Sequence, residues 1–214
     1  TMGAKFMDYI IADEVVIPNQ IKHQYAENII YLPSTYMVTD NELKSSNVQF
    51  TRADAGLPDT GFIFCCFNNH YKISPLVFSS WINILKRVNE SVLWLSDGNE
   101  IAIDNLKKVA EHNGVDSDRL IFAPTLTHKE DHLSRLKLAD LFIDTSPFNA
   151  HTTCADALQS GLPVVTCIGN SFTSRVAASL LNAVNLPELV TTSLDQYELL
   201  AIEIATKPEM LQII

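Results

Sequence analysis

Residues 61–67 of the 214-residue chain read Gly-Phe-Ile-Phe-Cys-Cys-Phe, and this apolar run decides the fold. A run without polar alternation is typical of a strand buried on both faces, as in a parallel sheet. Ser74-Pro75 then provides an N-cap and a first-turn proline, and apolar residues follow at helical spacing as far as Val88. The same order, an apolar run and then an amphipathic segment, repeats through the rest of the chain.

The repeated order predicts six strands, each followed by a helix. After the first pair, strands are expected at 91–95, 120–123, 141–144, 163–167 and 189–191, and helices at 100–113, 129–138, 152–160, 172–183 and 194–205. Strict alternation with short turns predicts a Rossmann-like, doubly wound parallel sheet over residues 62–214. Residues 1–61 have no evident core of their own and end in a turn-rich linker, so we expect them to lean on this domain or on something absent.

The composition excludes several classes of partner. The chain has 15 basic and 25 acidic residues, a net charge of −10, and no basic tract. This argues against a nucleic-acid binder and against a protein of anionic membrane surfaces, but a compact phosphate ligand stays possible. No apolar run approaches the roughly 20 residues of a membrane helix, and no signal peptide is visible. The four cysteines lack metal-ligand spacing, so we expect no metal site and a reducing, cytoplasmic location.

Ligands of open α/β sheets bind at the carboxyl ends of the strands, so polar residues there are the site candidates. Lys72 follows the first strand and can reach a phosphate as a point charge; the alternative is a solvated loop lysine. His132 and Arg135, three residues apart, share one face of the helix after the third strand. The alternative there is an exposed amphipathic helix start.

The connection after the fourth strand is the most informative one. His151, Thr152 and Thr153 open a helix whose first N–H groups and dipole form an anion site, and Asp156 lies one turn further, where it could accept from a ribose hydroxyl. The alternative is ordinary capping by Thr152. Motifs of other sites (GxGxxG, GxxxxGK[ST] and GxSxG) do not occur, which disfavours a standard dinucleotide site, a P-loop and a hydrolase elbow. The role of Arg175, a structural contact or the rim of the site, stays open.

Long ordered motifs connect the chain with a known family. They include 3–13 (Gly-Ala-Lys-Phe-Met-Asp-Tyr-Ile-Ile-Ala-Asp), 67–73 (Phe-Asn-Asn-His-Tyr-Lys-Ile), 129–132 (Lys-Glu-Asp-His), 151–153 (His-Thr-Thr), 161–166 (Gly-Leu-Pro-Val-Val-Thr) and 174–179 (Ser-Arg-Val-Ala-Ala-Ser). By these motifs the chain resembles the catalytic region of the O-linked N-acetylglucosamine transferases, glycosyltransferase family 41 or SPINDLY-like, from residue 3 to about 210.

The resemblance implies the C-terminal lobe of a GT-B glycosyltransferase, with residues 1–61 as the tail of the N-terminal lobe plus a linker. It implies that Lys72 is the catalytic lysine that neutralises the donor diphosphate, that Asn69 stands beside it, and that residues 151–153 hold the same diphosphate. It further implies that Asp156 bonds the ribose, that Lys129 and His132 lie at the ribose and uracil, and that Arg135 is their basic neighbour. The loop at 125–128 is one residue longer than in familiar members, which puts a backbone contact to the uracil in doubt.

The implied activity is metal-independent transfer of a sugar, GlcNAc with glucose or fucose as alternatives, from UDP to protein hydroxyl groups, without a cofactor. By the same comparison most of the N-terminal lobe and the helical repeats that recruit protein acceptors are missing, and the chain stops before the family's last helix. We therefore expect a donor-binding fragment that is inactive alone. The alternatives are a non-catalytic nucleotide- or partner-binding α/β module and a purely structural domain.

Overall fold

The computed structural model describes residues 2–40 and 42–214. Thr1 and Asn41, which belong to the predicted N-terminal segment, lie outside the described residues. The strands are β1 (Tyr9–Ala12), β2 (Asn28–Tyr31), β3 (Ile63–Cys66), β4 (Val92–Ser96), β5 (Leu120–Ala123), β6 (Leu141–Ile143), β7 (Val164–Cys167) and β8 (Val190–Thr191). The helices are α1 (Pro75–Arg87), α2 (Glu100–His112), α3 (Lys129–Leu136), α4 (Thr152–Gln159), α5 (Val176–Ala183), α6 (Leu194–Thr206) and α7 (Pro208–Ile213).

The six strands from β3 to β8 form one sheet in the order β5-β4-β3-β6-β7-β8, and every pair in it is parallel. This is the doubly wound order, in which the chain leaves the central strand in one direction and later returns to its other side. The predicted fold class is confirmed. The switch point lies between β3 and β6, so the loops after these two strands face each other.

Helices cover both faces of the sheet. On one face α1 packs against α6, and the buried Trp81 indole donates a hydrogen bond of 2.9 Å to the Tyr197 hydroxyl. On the other face α3, α4 and α5 pack side by side. β3, β6 and β7 are buried at every position, as their continuous apolar sequence predicts.

Several boundaries differ from the prediction. The helix expected over 172–183 is interrupted: Phe172–Ser174 is a short 3-10 helix with a capping box between Ser171 and Ser174, and α5 begins only at Val176. The helix from Lys129 ends two residues earlier than predicted. Helix α7 and the strands β1 and β2 were not predicted at all.

The N-terminal segment leans on the α/β domain, which was one of the two expected outcomes. β1 and β2 pair in parallel as a separate two-stranded sheet. Ala12, Val16, Ile17 and Leu57 are buried and belong to the same apolar core as the large sheet. The buried Asp13 carboxylate accepts hydrogen bonds from the Tyr36 N–H at 2.8 Å and from the Ser179 hydroxyl of α5 at 2.7 Å.

Arg175 has a structural role. Its guanidinium donates to the Val15 carbonyl at 2.6 Å and to the Gly169 carbonyl at 2.8 Å. It therefore fastens the N-terminal segment to the turn before α5, which answers the question that the sequence left open.

Candidate nucleotide-sugar site

Lys72 lies at the switch point, on the loop after β3, and reaches across to the loop after β6. Its ammonium donates a hydrogen bond of 3.0 Å to the Asn149 carbonyl and stands 4.3 Å from the centre of the Phe148 ring. Burial lowers the pKa of Lys72, while the negative charge of Asp144 acts in the opposite direction. A partly desolvated cation therefore sits directly beside the segment that leads into α4.

Helix α4 begins with N–H groups that no side chain caps. His151 is the N-cap residue, and it makes no side-chain hydrogen bond to the first turn. Instead its ring stacks on Phe148, with 5.1 Å between the ring centres, and burial lowers its pKa. The backbone N–H groups of Thr152 and Thr153 and the positive end of the helix dipole are thus left for an anion.

The predicted ribose residues form an ion pair between α3 and α4. The Lys129 ammonium and the Asp156 carboxylate are 2.9 Å apart, and Asp156 is largely buried whereas Lys129 is half exposed. The pair places the start of α3 next to the first turn of α4. Both residues thus border the same end of the sheet.

His132 and Arg135 lie together, as their spacing predicts, but they face inward. The Arg135 guanidinium donates to Nδ1 of His132 at 3.2 and 3.3 Å and lies over the rings of Phe67 and Trp94. Arg135 is only 7% exposed, so it supports the imidazole from behind rather than standing open to solvent. Burial and the nearby guanidinium lower the pKa of His132 to about 4, which keeps its imidazole neutral at physiological pH.

Asn69 is exposed and borders a cavity of about 400 Å³ at the carboxyl ends of β3, β4 and β5. Phe67, His70, Ser96, Asp97 and Thr125 line the same cavity. The Asn69 side chain also accepts from the Tyr71 N–H at 3.3 Å, which forms the turn that carries Lys72. The structure thus brings the predicted site residues to one end of the sheet, on the loops and helices that follow β3, β5 and β6.

Two buried polar residues that are not among the predicted site residues, Asp144 and Asn68, lie beneath them. Asp144, 1% exposed, accepts from the N–H groups of Thr145 at 2.7 Å and Ala150 at 2.6 Å and from the Thr166 hydroxyl at 2.6 Å. Burial raises the pKa of Asp144 to about 7, although these hydrogen bonds and the charge of Lys72 act to lower it. Asn68, 2% exposed, is the second of these buried polar residues. Its signal in the sequence was an amide directly after a buried strand.

Comparison with known proteins agrees with this geometry. The family model described as glycosyl transferase family 41 matches residues 1–44 and 38–214. The chain belongs to glycosyltransferase family 41. Its curated relatives include the probable UDP-N-acetylglucosamine–peptide N-acetylglucosaminyltransferase SEC of Arabidopsis thaliana, 38% identical over 99% of this chain and 22% of the relative.

Two further relatives extend the comparison across the family. The UDP-N-acetylglucosamine–peptide N-acetylglucosaminyltransferase of Caenorhabditis elegans is 38% identical over 81% of this chain and 15% of its own length. The probable SPINDLY enzyme of Petunia hybrida is 30% identical over 96% of this chain and 22% of its own length. The family 41 chain described here thus spans less than a quarter of these curated relatives.

Solved structures place the fold among GT-B glycosyltransferases. A mutant O-GlcNAc transferase of Thermobaculum terrenum superposes with a TM-score of 0.83 at 26% identity, over 96% of this chain and 39% of that one. Sucrose-phosphate synthase of Thermosynechococcus elongatus, with a TM-score of 0.54 at 12% identity over 96% of this chain and 56% of that one, shares the fold alone. The family 41 chain therefore has the α/β architecture of a C-terminal GT-B lobe.

Within residues 2–40 and 42–214, no cluster of three or more His, Cys, Asp or Glu side chains could hold a metal ion. No helix in the described part of the family 41 chain is long and apolar enough to cross a membrane. Cys65, Cys66, Cys154 and Cys167 are free thiols, and all four are buried, as packing cysteines would be.

Proposed function

We propose that the chain is the donor-binding part of a UDP-sugar-dependent protein glycosyltransferase. One observation carries the proposal: the Lys72 ammonium meets the loop that leads into the uncapped N-terminus of α4, at the switch point of the sheet. A cation and a set of free N–H donors on neighbouring loops suit a diphosphate. In this proposal Lys72 is the catalytic residue, and Asn69, His151, Thr152 and Thr153 hold the diphosphate.

The chemistry follows from where charge develops. The acceptor hydroxyl oxygen bonds to the anomeric carbon and its proton passes to solvent, while the electron pair of the broken bond goes to the UDP leaving group, whose β-phosphate gains negative charge. Lys72 and the first turn of α4 stabilise that charge more in the transition state than in the ground state. We therefore propose a metal-independent reaction without a cofactor.

The neutral His132 ring and the Lys129–Asp156 ion pair are proposed to hold the nucleoside half of the donor. A neutral imidazole can lie against a base without bringing a charge, and Arg135 fixes its orientation through Nδ1. Asp156, held by Lys129 at 2.9 Å, can accept from a ribose hydroxyl.

The identity of the donor and acceptor is proposed from the relatives, whose names describe transfer of N-acetylglucosamine from its UDP derivative to peptides. We propose UDP-GlcNAc as the donor and protein Ser/Thr hydroxyls as acceptors, in the cytoplasm, where the four free thiols would stay reduced. We further propose that residues 1–61 are the tail of an N-terminal lobe. The exposed apolar side chains of Tyr9, Ile11 and Ile30 support this, because parallel strands usually have both faces covered. The rest of that lobe and the helical repeats are proposed to belong to the whole protein.

The experiment is a calorimetric or NMR titration of this chain with UDP and, separately, with uridine. We expect weak UDP binding and little or no transfer by the chain alone. Lys72→Ala should weaken UDP binding about ten- to a hundredfold, because a charge-assisted contact to phosphate is lost, and should leave uridine binding nearly unchanged. Lys86→Ala, which removes an exposed lysine at the end of α1, is the matched control and should change neither affinity.

Three results would contradict the proposal. No response at millimolar UDP, with the fold intact, would reject a nucleotide site. Equal losses for UDP and uridine in Lys72→Ala would indicate a packing role for the lysine. Binding of UDP without any transfer by a longer chain that includes the N-terminal lobe would instead support the non-catalytic module.

A further inference from the structure

A directional chain of hydrogen bonds connects the loop after β3 with the first turn of α4. The Thr153 hydroxyl donates to Oδ1 of Asn68 at 2.5 Å, and the Asn68 amide donates to the Thr145 hydroxyl at 2.7 Å. The Thr145 hydroxyl in turn donates to the Phe148 carbonyl at 2.6 Å. We call these three bonds the Asn68 clamp.

The direction of each bond in the Asn68 clamp is fixed, because a hydroxyl has one proton. Thr145 gives its proton to Phe148, so it can only accept from Asn68. The amide nitrogen of Asn68 must therefore face Thr145, and a second contact of 3.3 Å from this nitrogen to the Asp144 carboxylate agrees with that orientation. Its carbonyl oxygen then faces Thr153 and takes that hydroxyl's proton.

This arrangement restricts what Thr153 can offer to an anion. With its hydroxyl proton committed to Asn68, Thr153 can present only its backbone N–H to a phosphate. Asn68 meanwhile is 2% exposed and stands four residues before Lys72 on the same loop. The Asn68 clamp thus sets the distance between the loop that carries the cation and the helix turn that carries the N–H groups.

We infer that Asn68 is a positioning residue for the donor diphosphate, and that the Thr153 hydroxyl acts through Asn68 rather than by direct donation to phosphate. The inference rests on the proposed function, because it concerns the same diphosphate. The Asn68 clamp uses the side-chain hydroxyl of Thr153 and leaves its backbone N–H for the ligand. The opposite loop contact, from Lys72 to Asn149, involves the cation itself.

The test is a double-mutant cycle read by the affinities for UDP and uridine. Thr153→Val removes the hydroxyl while keeping the side-chain shape, and it should weaken UDP binding about five- to tenfold, the cost of a buried hydrogen bond. Thr153→Ser restores the hydroxyl and should restore the affinity. In the Asn68→Ala background, where the acceptor is absent, Thr153→Val should have no further effect on UDP binding.

Uridine binding should stay within about twofold in every variant, since only the diphosphate depends on the clamp. Asn83→Ala, at an exposed position of α1, is the matched control and should leave both affinities unchanged. If Asn68→Ala does not fold, Asn68→Ser takes its place, because a serine side chain is one bond shorter and cannot reach Thr153.

The outcomes separate the two claims. No UDP binding by the unsubstituted chain overturns the proposed function and this inference with it. A second outcome is that the unsubstituted chain binds UDP and that Thr153→Val lowers the UDP affinity equally whether Asn68 is present or replaced. This outcome overturns the inference alone and assigns the hydroxyl a direct phosphate contact. Parallel losses of UDP and uridine affinity overturn it as well, in favour of a general structural role.

Discussion

The two parallel sheets of this molecule are built from similar apolar sequence but are covered differently. β3, with the sequence Ile-Phe-Cys-Cys, is buried at all four positions between helical layers. β1, with the sequence Tyr-Ile-Ile-Ala, buries Ala12 but leaves Tyr9 61% and Ile11 54% exposed. An apolar run therefore tells which segments can be strands, but the number of covered faces depends on what packs against them.

The difference also separates two ways of holding a sheet in place. The large sheet is held by apolar packing on both faces. The small sheet is held from one side by hydrogen bonds. The Asp13 carboxylate accepts from Ser179 of α5, and the Arg175 guanidinium, just before α5, donates to the Val15 carbonyl. Four substitutions test this difference between the two sheets.

Ile63→Ala, in β3, should have the largest effect. The side chain is fully buried, so its loss leaves a cavity and should lower the free energy of unfolding by about 2–5 kcal/mol. Urea unfolding followed by tryptophan fluorescence measures the change. A loss below about 1 kcal/mol would mean that the site can collapse and that the large sheet is not the rigid part of the molecule.

Asp13→Ala should have the next largest effect, and it should be confined to the small sheet. The substitution leaves the Tyr36 N–H and the Ser179 hydroxyl without their acceptor, at a cost of about 1–3 kcal/mol. Hydrogen exchange should accelerate in β1 and β2 but not in β4. Ser179→Ala, which removes one of these bonds, is the milder control, and equal acceleration in both sheets would show that they unfold as one unit.

Asp144→Asn tests the buried carboxylate of the large sheet through its pH dependence. The folded pKa of Asp144, about 7, exceeds the ordinary value of an aspartate, so the folded state binds more protons between the two values. The contribution of this group to stability is present at low pH and is lost as pH rises through about 7. Asparagine mimics the protonated form.

As pH rises from 6 to 7, the variant should therefore gain roughly 1 kcal/mol of stability relative to the unsubstituted chain. Unfolding curves of both proteins across this range give the difference. The low pKa of His132 works in the opposite sense, since a buried neutral imidazole loses stability as pH falls, but it is common to both proteins and cancels. A difference that is independent of pH would contradict the raised pKa.

Ile11→Ala should have the smallest effect, and it is the partner experiment to Ile63→Ala. The same atoms are removed from a half-exposed position of a strand, so we expect a change within about 0.5 kcal/mol. The same urea unfolding measurement applies. A cost similar to that of Ile63→Ala would show that the outer face of the small sheet is covered in solution.

Much of the fold could be predicted because its signals are local. Buried parallel strands need continuous apolar runs, and the helices between them need caps and apolar stripes. The sequence contains both from residue 62 onward. The features that were not predicted were missed for physical reasons too. β2 is only four residues long and pairs with a strand whose partner positions lie 19 residues away, so no local pattern marks it. The break before α5 depends on Arg175, whose partners include a carbonyl 160 residues earlier in the chain.

The candidate site divides in the same way. Lys72, the first turn of α4 and the helix face of His132 and Arg135 could be found because parallel strands bring their carboxyl ends to one edge. The inward orientation of Arg135 and the clamp through Asn68 could not, because both depend on partners that are distant in the sequence. Whether a polar side chain is open to a ligand or committed to a neighbour is a property of packing.

The alternation of strands and helices, the family and the edge of the sheet that carries the candidate site could all be predicted from the sequence alone, because they follow from short-range pattern and parallel topology. Which side chains at that edge are open to a ligand, and which are hydrogen-bonded to a neighbour, depends on the folded structure. Hydrogen-bond donors such as the hydroxyl of Thr153 have a single proton, and only the folded arrangement fixes the atom that receives it.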